Sequence, residues 1–174
     1  MTPTSAIDYA RIYRDHADEY DRLVSAEDRS GNVLAALQST CDLRGATVLE
    51  VGVGTGRITR LLTPFALRIC GFDLSPAMLK VAAERLPPRR QARVGLSVAD
   101  ARALPVRADW ADLAIAGWVF GHFTEWFSRA WPAETARALD ELDRALRPGG
   151  TVVVLETLGT GTVDPAPPTG QLAE

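Results

Sequence analysis

Three glycines at positions 52, 54 and 56 constrain this chain more than any other feature. They follow Thr47-Val48-Leu49-Glu50-Val51 directly and precede Arg57-Ile58-Thr59-Arg60-Leu61-Leu62. The first run is short, apolar and rich in β-branched residues, as in a strand covered on both faces. The second carries apolar residues at 58, 61 and 62, the spacing of a helix. The pattern predicts a buried strand, a glycine turn and the start of a helix.

Glycine suits such a turn because backbone without a Cβ can approach a ligand closely and adopt positive φ. The helix behind it directs free N–H groups and a partial positive charge at whatever the turn holds. The spacing is G-x-G-x-G. A dinucleotide fingerprint G-x-G-x-x-G would need glycine or alanine at 57, where Arg57 stands. An acid, Glu50, precedes the first glycine by two positions.

On these residues the chain resembles the class I S-adenosylmethionine-dependent methyltransferases, whose first motif is two hydrophobic residues, Asp or Glu, and then x-Gly-x-Gly-x-Gly. The resemblance implies an α/β fold: a Rossmann-like, doubly wound sheet with parallel strand order 3-2-1-4-5. It assigns the turn residues Gly52, Val53, Gly54, Thr55 and Gly56 to the methionyl portion of S-adenosylmethionine. Glu50 would order the turn and reach the methionyl ammonium directly or through water.

The next segments extend the likeness. Leu67 to Asp73 reads as a second strand ending in an acid, roughly 20 residues beyond Gly52, where a carboxylate can accept ribose hydroxyl protons. The other reading of Asp73 is an exposed acid at a strand end. Ser75 suits an N-cap and Pro76 the first helical position, with the helix running to Leu86. By resemblance, Leu74 and Met78 flank the adenine ring. Val94 to Ala99 is the third strand. The family places an acid after it against the adenine amino group, which points to Asp100 with the Ala101 N–H; the alternative is that Asp100 caps a turn.

Trp110 to Trp118 contains the fourth strand, which empties into Gly117-Trp118-Val119-Phe120-Gly121-His122-Phe123. Ligands of an open parallel sheet bind beyond the strands' carboxyl ends, so this segment should face the transferring methyl. Gly117 is a cofactor contact by the same resemblance, and His122 is a candidate general base. An orienting or structural role is the competing reading of His122. A helix from Pro132 to Leu146, with Leu139, Leu142 and Leu146 inward, is ended by Arg147-Pro148-Gly149-Gly150, and Thr151 to Glu156 forms the fifth strand.

The N-terminal part, residues 1–45, is expected to be a loose end at 1–5 and two helices, Ile7 to Val24 and Arg29 to Thr40. Tyr9, Ile12, Tyr13, His16, Tyr20 and Leu23 recur at helical steps on one face. Val33, Leu34 and Leu37 face inward on the second. The resemblance lays these helices across the cofactor, making Tyr20 and His16 candidates for lid contacts; local packing or capping is the alternative. Residues 46–156 form the core. Residues 157–174, rich in Gly, Thr and Pro, read as a loop with the start of a helix at Leu172. The family's sixth strand and reversed seventh are expected to be missing from this chain, which leaves a possible homodimer contact at the sheet edge.

Composition narrows the class of partner. With 174 residues, 47% hydrophobic and 24% charged, the chain suits one globular domain. A net charge of −3 argues against a nucleic-acid partner, and no apolar run approaches a membrane span. The polar N-terminus lacks a signal-peptide core, which reads as cytoplasmic. Cys41 and Cys70 stand without nearby Cys or His partners, so no metal site is expected. No Asn/Asp-Pro-Pro-aromatic motif follows the fourth strand, and no Pro-Cys nucleophile is present. The expected activity is methyl transfer from S-adenosylmethionine to an O or N atom of a small molecule, releasing S-adenosylhomocysteine. A non-catalytic cofactor-binding module and a nicotinamide-dependent dehydrogenase are the alternatives.

Overall fold

The computed structural model describes residues 8–157, and the readings at residues 1–5 and 158–174 lie outside them. Three helices come first: α1 (Tyr9–Asp15), α2 (Ala17–Ser25) and α3 (Asn32–Thr40). Then β1 (Thr47–Val51), α4 (Arg57–Leu62), β2 (Arg68–Asp73), α5 (Pro76–Arg85) and β3 (Val94–Val98) follow. The chain continues through β4 (Ala111–Gly117), α6 (Phe120–Trp126), α7 (Trp131–Ala145) and β5 (Leu146–Leu155).

The five described strands make one parallel sheet in the order β3-β2-β1-β4-β5, as expected. Leu49 pairs with Cys70 of β2, and Glu50 with Ile115 of β4, so β1 lies between neighbours reached in opposite directions. That reversal opens a crevice at the carboxyl end of β1. Alternation along the strands sends Val48, Ile69, Leu113, Ile115 and Val153 to a core shared with Leu37 of α3 and with Ile58 and Leu62 of α4. Leu49, Val51, Phe72, Ala114 and Ala116 face the other way, toward Leu142 and Ala145 of α7. Both faces are covered, which explains why β1 and β4 read as continuous apolar runs.

The single N-terminal helix expected from Ile7 to Val24 is instead two. His16 adopts φ −133° and ψ 34° and separates α1 from α2. Asp8 caps α1 by accepting from the Arg11 N–H at 3.0 Å. The three- and four-residue spacing of apolar residues survives such a break, so it did not reveal one. Leu23 is 64% exposed, not inward. The buried positions of α2 are Ala17, Val24 and, unexpectedly, Asp21. Asp21 is ion-paired with Arg85 of α5 at 3.1 Å and Arg60 of α4 at 3.4 Å, which ties α2 to the core.

Helix α3 starts at Asn32, not near Arg29, because the Asp28 carboxylate accepts from the Asn32 and Val33 N–H groups at 2.7 and 3.0 Å. On α7, Leu139 is exposed and the inward positions are Ala138, Leu142 and Ala145. Leu146 leaves the helix and opens β5, where it pairs with Ala111. A register shift then accommodates Arg147-Pro148-Gly149-Gly150, and regular pairing resumes at Leu113 with Thr151. The turn therefore lies within the strand, not before it.

Candidate functional site

A cleft of about 470 Å³ opens at the carboxyl ends of β1, β2 and β4, and α1 and α2 form its other wall. Its lining includes Glu50, Gly52, Val53, Gly54, Thr55, Asp73, Leu74, Met78, Asp100, Ala101, Gly117, His122 and Tyr20. Of the residues expected at the site, Gly56 does not line it. Its N–H is taken by the Val53 carbonyl at 2.9 Å, and a Cβ there would stand 3.1 Å from that of Ala82. Gly56 therefore seats the turn on α5. His16 is exposed and also stands outside the lining.

The turn behaves as its spacing implied. Gly54 has φ +54° and nothing within 4 Å of where a Cβ would be, so its backbone is open to the cleft. At Gly52, with φ +68°, a Cβ would meet Val119 Cγ2 at 2.3 Å. The first glycine is required by packing against the segment after β4 and by its φ, the second by its φ alone.

Two polar atoms on this wall are buried without a hydrogen-bond partner in the protein: Glu50 Oε1 and Thr55 Oγ1. The other Glu50 oxygen accepts from the Thr59 hydroxyl at 2.7 Å. Burial pushes the Glu50 carboxyl up to about 7. Buried polar atoms ordinarily find partners, and these two have none within the protein.

The raised value gives a testable pH dependence. Between the ordinary carboxyl value of 4.5 and about 7 the folded chain holds a proton on Glu50 that the unfolded chain has lost. Its contribution to stability is therefore present below 4.5 and is lost as pH rises toward 7. Glu50→Gln should gain stability relative to the parent chain over that window, by about 3 kcal/mol at its upper end. Urea unfolding of both proteins at pH 5 and pH 7 measures it, and an unchanged difference would contradict the assignment.

Asp73 closes β2 and is held at the cleft by two backbone donors, Gly54 N–H at 2.7 Å and Ser75 N–H at 2.8 Å. Ser75 caps α5 through Met78 N–H and donates its hydroxyl to the Tyr13 carbonyl at 3.1 Å, joining α1 to the rim. Asp100 is engaged by Arg102, through Nε at 2.9 Å and Nη2 at 2.6 Å. That guanidinium holds the Asp100 carboxyl below its usual range. The competing reading, a turn cap, holds in part: Asp100 Oδ1 also accepts from the Arg102 N–H.

His122 sits in the first turn of α6 with its Nε2 2.8 Å from the Tyr13 hydroxyl. Its ring stacks on Trp126 at 5.0 Å and 12°, with the edges of Tyr9 and Tyr13 around it. Burial lowers its pKa from 6.5, so it is neutral at pH 7. Burial also raises Tyr13 well above its ordinary value, so that group stays a phenol.

Three features of the site escaped the sequence. Trp118 stands at φ +56° and donates its indole N–H to Thr157 at 2.8 Å, while Arg57 lies over its ring at 4.6 Å. Arg57 is in turn ion-paired with Glu27 at 2.8 Å. Glu156 Oε1 accepts from the Phe120 and Gly121 N–H groups at 2.8 and 3.3 Å and fixes the start of α6. An acid at the carboxyl end of a parallel strand was the available signal for Glu156; nothing local marked the Arg57–Glu27 pair.

Residues 49–154 match the family model described as a methyltransferase domain, over half of the chain. The chain belongs to the class I S-adenosylmethionine-dependent methyltransferases. It is 30% identical over 155 residues to an uncharacterised methyltransferase of Geobacillus kaustophilus, covering 86% of this chain and 67% of that protein. It is 32% identical over 149 residues to the malonyl-[acyl-carrier protein] O-methyltransferase of Salmonella typhimurium, covering 84% and 52%. An S-adenosylmethionine-dependent methyltransferase structure from Mesorhizobium loti matches with a TM-score of 0.57 and 27% identity, over 71% of this chain and 51% of that one. The chain thus spans about half to two thirds of the length of these relatives. Among its described residues, no helix is long and apolar enough to cross a membrane and no metal-binding group of His, Cys, Asp and Glu occurs.

Proposed function

We propose that this chain binds S-adenosylmethionine in the cleft and transfers its methyl group to an oxygen or nitrogen of a small-molecule acceptor. The observation that carries the proposal is the pair of unpartnered buried atoms, Glu50 Oε1 and Thr55 Oγ1, beside the open backbone of Gly54. When bound, S-adenosylmethionine supplies a methyl already activated by its sulfonium sulfur, so the protein needs no nucleophile of its own.

The residues of the chain then have four tasks. Glu50 and Thr55, with the turn backbone, hold the methionyl end; a cationic ammonium beside Glu50 would favour its ionised form. Asp73 keeps free lone pairs for the ribose hydroxyls, and its two backbone donors fix its direction. Asp100, Ala101, Leu74 and Met78 form the adenine end. His122 takes the acceptor's proton on its neutral ring, whose Nε2 is held by the Tyr13 hydroxyl until the acceptor displaces it. Helices α1 and α2 exclude water from the aromatic end of the cleft.

Turnover distinguishes an enzyme from a binding module. The protein with S-adenosylmethionine and a panel of small phenols, amines and carboxylic acids should release S-adenosylhomocysteine with at least one of them above the rate without acceptor. Cofactor binding without release for any class would leave a module.

A further inference from the structure

The acceptor end of the cleft has a composition of its own. Tyr9, Tyr13, His122 and Trp126 make an aromatic cluster around the proposed base. Charged groups on the same lining are one-sided. Glu27, Glu125 and Glu156 are acids, and Arg57 is the one cation among the described lining residues. That cation is already used, because its guanidinium is ion-paired with Glu27 and lies against Trp118. Nearby arginines are used as well: Arg60 on the Thr55 carbonyl and Asp21, Arg102 on Asp100 and Glu134. Residues 1–7 and 158–174 hold no Lys, Arg or His, so they bring no cationic side chain to the cleft.

An anion entering this space would lose its water, find no free cation and lie among carboxylates. A flat ring finds aromatic faces, and a positive tail finds Glu156, whose Oε1 carries both backbone hydrogen bonds. We propose that the acceptor is a ring-bearing hydroxy compound with a neutral or cationic tail, and that the site rejects the same ring with an anionic tail. This rests on the function proposed above and adds the acceptor's class to it.

The test uses three probes with one phenol ring: p-cresol, tyramine and 4-hydroxyphenylacetate, whose tails are neutral, cationic and anionic. Each is titrated calorimetrically into the protein loaded with S-adenosylhomocysteine and into the unloaded protein. p-Cresol and tyramine should bind at least about tenfold more tightly than 4-hydroxyphenylacetate. Glu27→Gln, at an exposed side chain, releases Arg57 and should raise affinity for 4-hydroxyphenylacetate by about threefold or more. Equal or tighter binding of the anion to the parent protein overturns the proposal. So does failure of both other probes to bind at about 10 mM. Since selectivity is also read without cofactor, absence of S-adenosylhomocysteine binding counts against the proposed function alone.

Discussion

Asp73→Ala is expected to weaken S-adenosylhomocysteine binding at least about tenfold while the fold is retained. On the proposed assignment each hydrogen bond from a ribose hydroxyl to this carboxylate would be worth about 1.5–3 kcal/mol, and 1.4 kcal/mol is a factor of ten. Two such bonds would justify a loss of about a hundredfold or more. The substitution also frees the Gly54 and Ser75 N–H groups, so part of the loss would come through the turn. Asp73→Asn keeps one acceptor oxygen, and so one of the two backbone hydrogen bonds, while its NH2 faces the other donor; it should fall between the parent and the alanine variant. Burial works against the Asp73 charge, raising its pKa, so removing it relieves a desolvation cost that offsets the freed donors. Calorimetry gives the affinities and thermal unfolding the stability. Unchanged affinity in Asp73→Ala would remove the ribose assignment.

His122→Ala carries the second large effect. A positioned general base contributes about 10²- to 10⁴-fold to rate, so methyl transfer to a hydroxyl acceptor should fall within that range. Affinity for S-adenosylhomocysteine should change by no more than about threefold, because the proposed role lies at the acceptor. Burial lowers the His122 pKa from 6.5, and only the neutral ring accepts a proton. The parent rate should therefore be level at pH 7 and above, and should decline as pH drops through a value below 6.5. The variant should lack that decline. Equal losses in rate and cofactor affinity would instead favour a binding role for His122. Tyr13→Phe keeps the ring packing on His122 and removes the 2.8 Å hydrogen bond, so it should reduce the rate less than His122→Ala does.

What could be read from the sequence was what neighbours in the chain determine together. The glycine turn, Glu50, the strand-ending Asp73 and the Ser75-Pro76 cap each declare themselves within a few residues, and all were legible. The strand order followed from the family likeness of those segments. Pairings between distant parts of the chain left no trace. Tyr13 and His122 are 109 positions apart, and either alone fits an ordinary packed aromatic. Nothing local in the sequence marks Asp21 as the residue that Arg60 and Arg85 enclose. Arg57 served only to exclude a dinucleotide pattern, whereas in the fold it joins Glu27 to Trp118.

Other errors came from patterns that fit two structures equally well. On α7, Leu139 matched the helical period, but the buried stripe runs through Ala138, Leu142 and Ala145. The small alanines there let α7 approach the sheet, and hydrophobicity alone ranks Leu139 above them. Gly56 matched the motif's third glycine, and in the fold its φ of +83° and its close contact with Ala82 both call for glycine. A glycine's place in a motif does not say which of its properties is being used.

Calorimetric titration of the 174-residue chain with S-adenosylhomocysteine, beside NAD as a control, tests the central claim most directly. The account predicts micromolar binding of S-adenosylhomocysteine and none of NAD. No binding of S-adenosylhomocysteine, or binding of NAD of equal strength, would contradict the assignment of the glycine turn, Glu50 and Asp73 to S-adenosylmethionine.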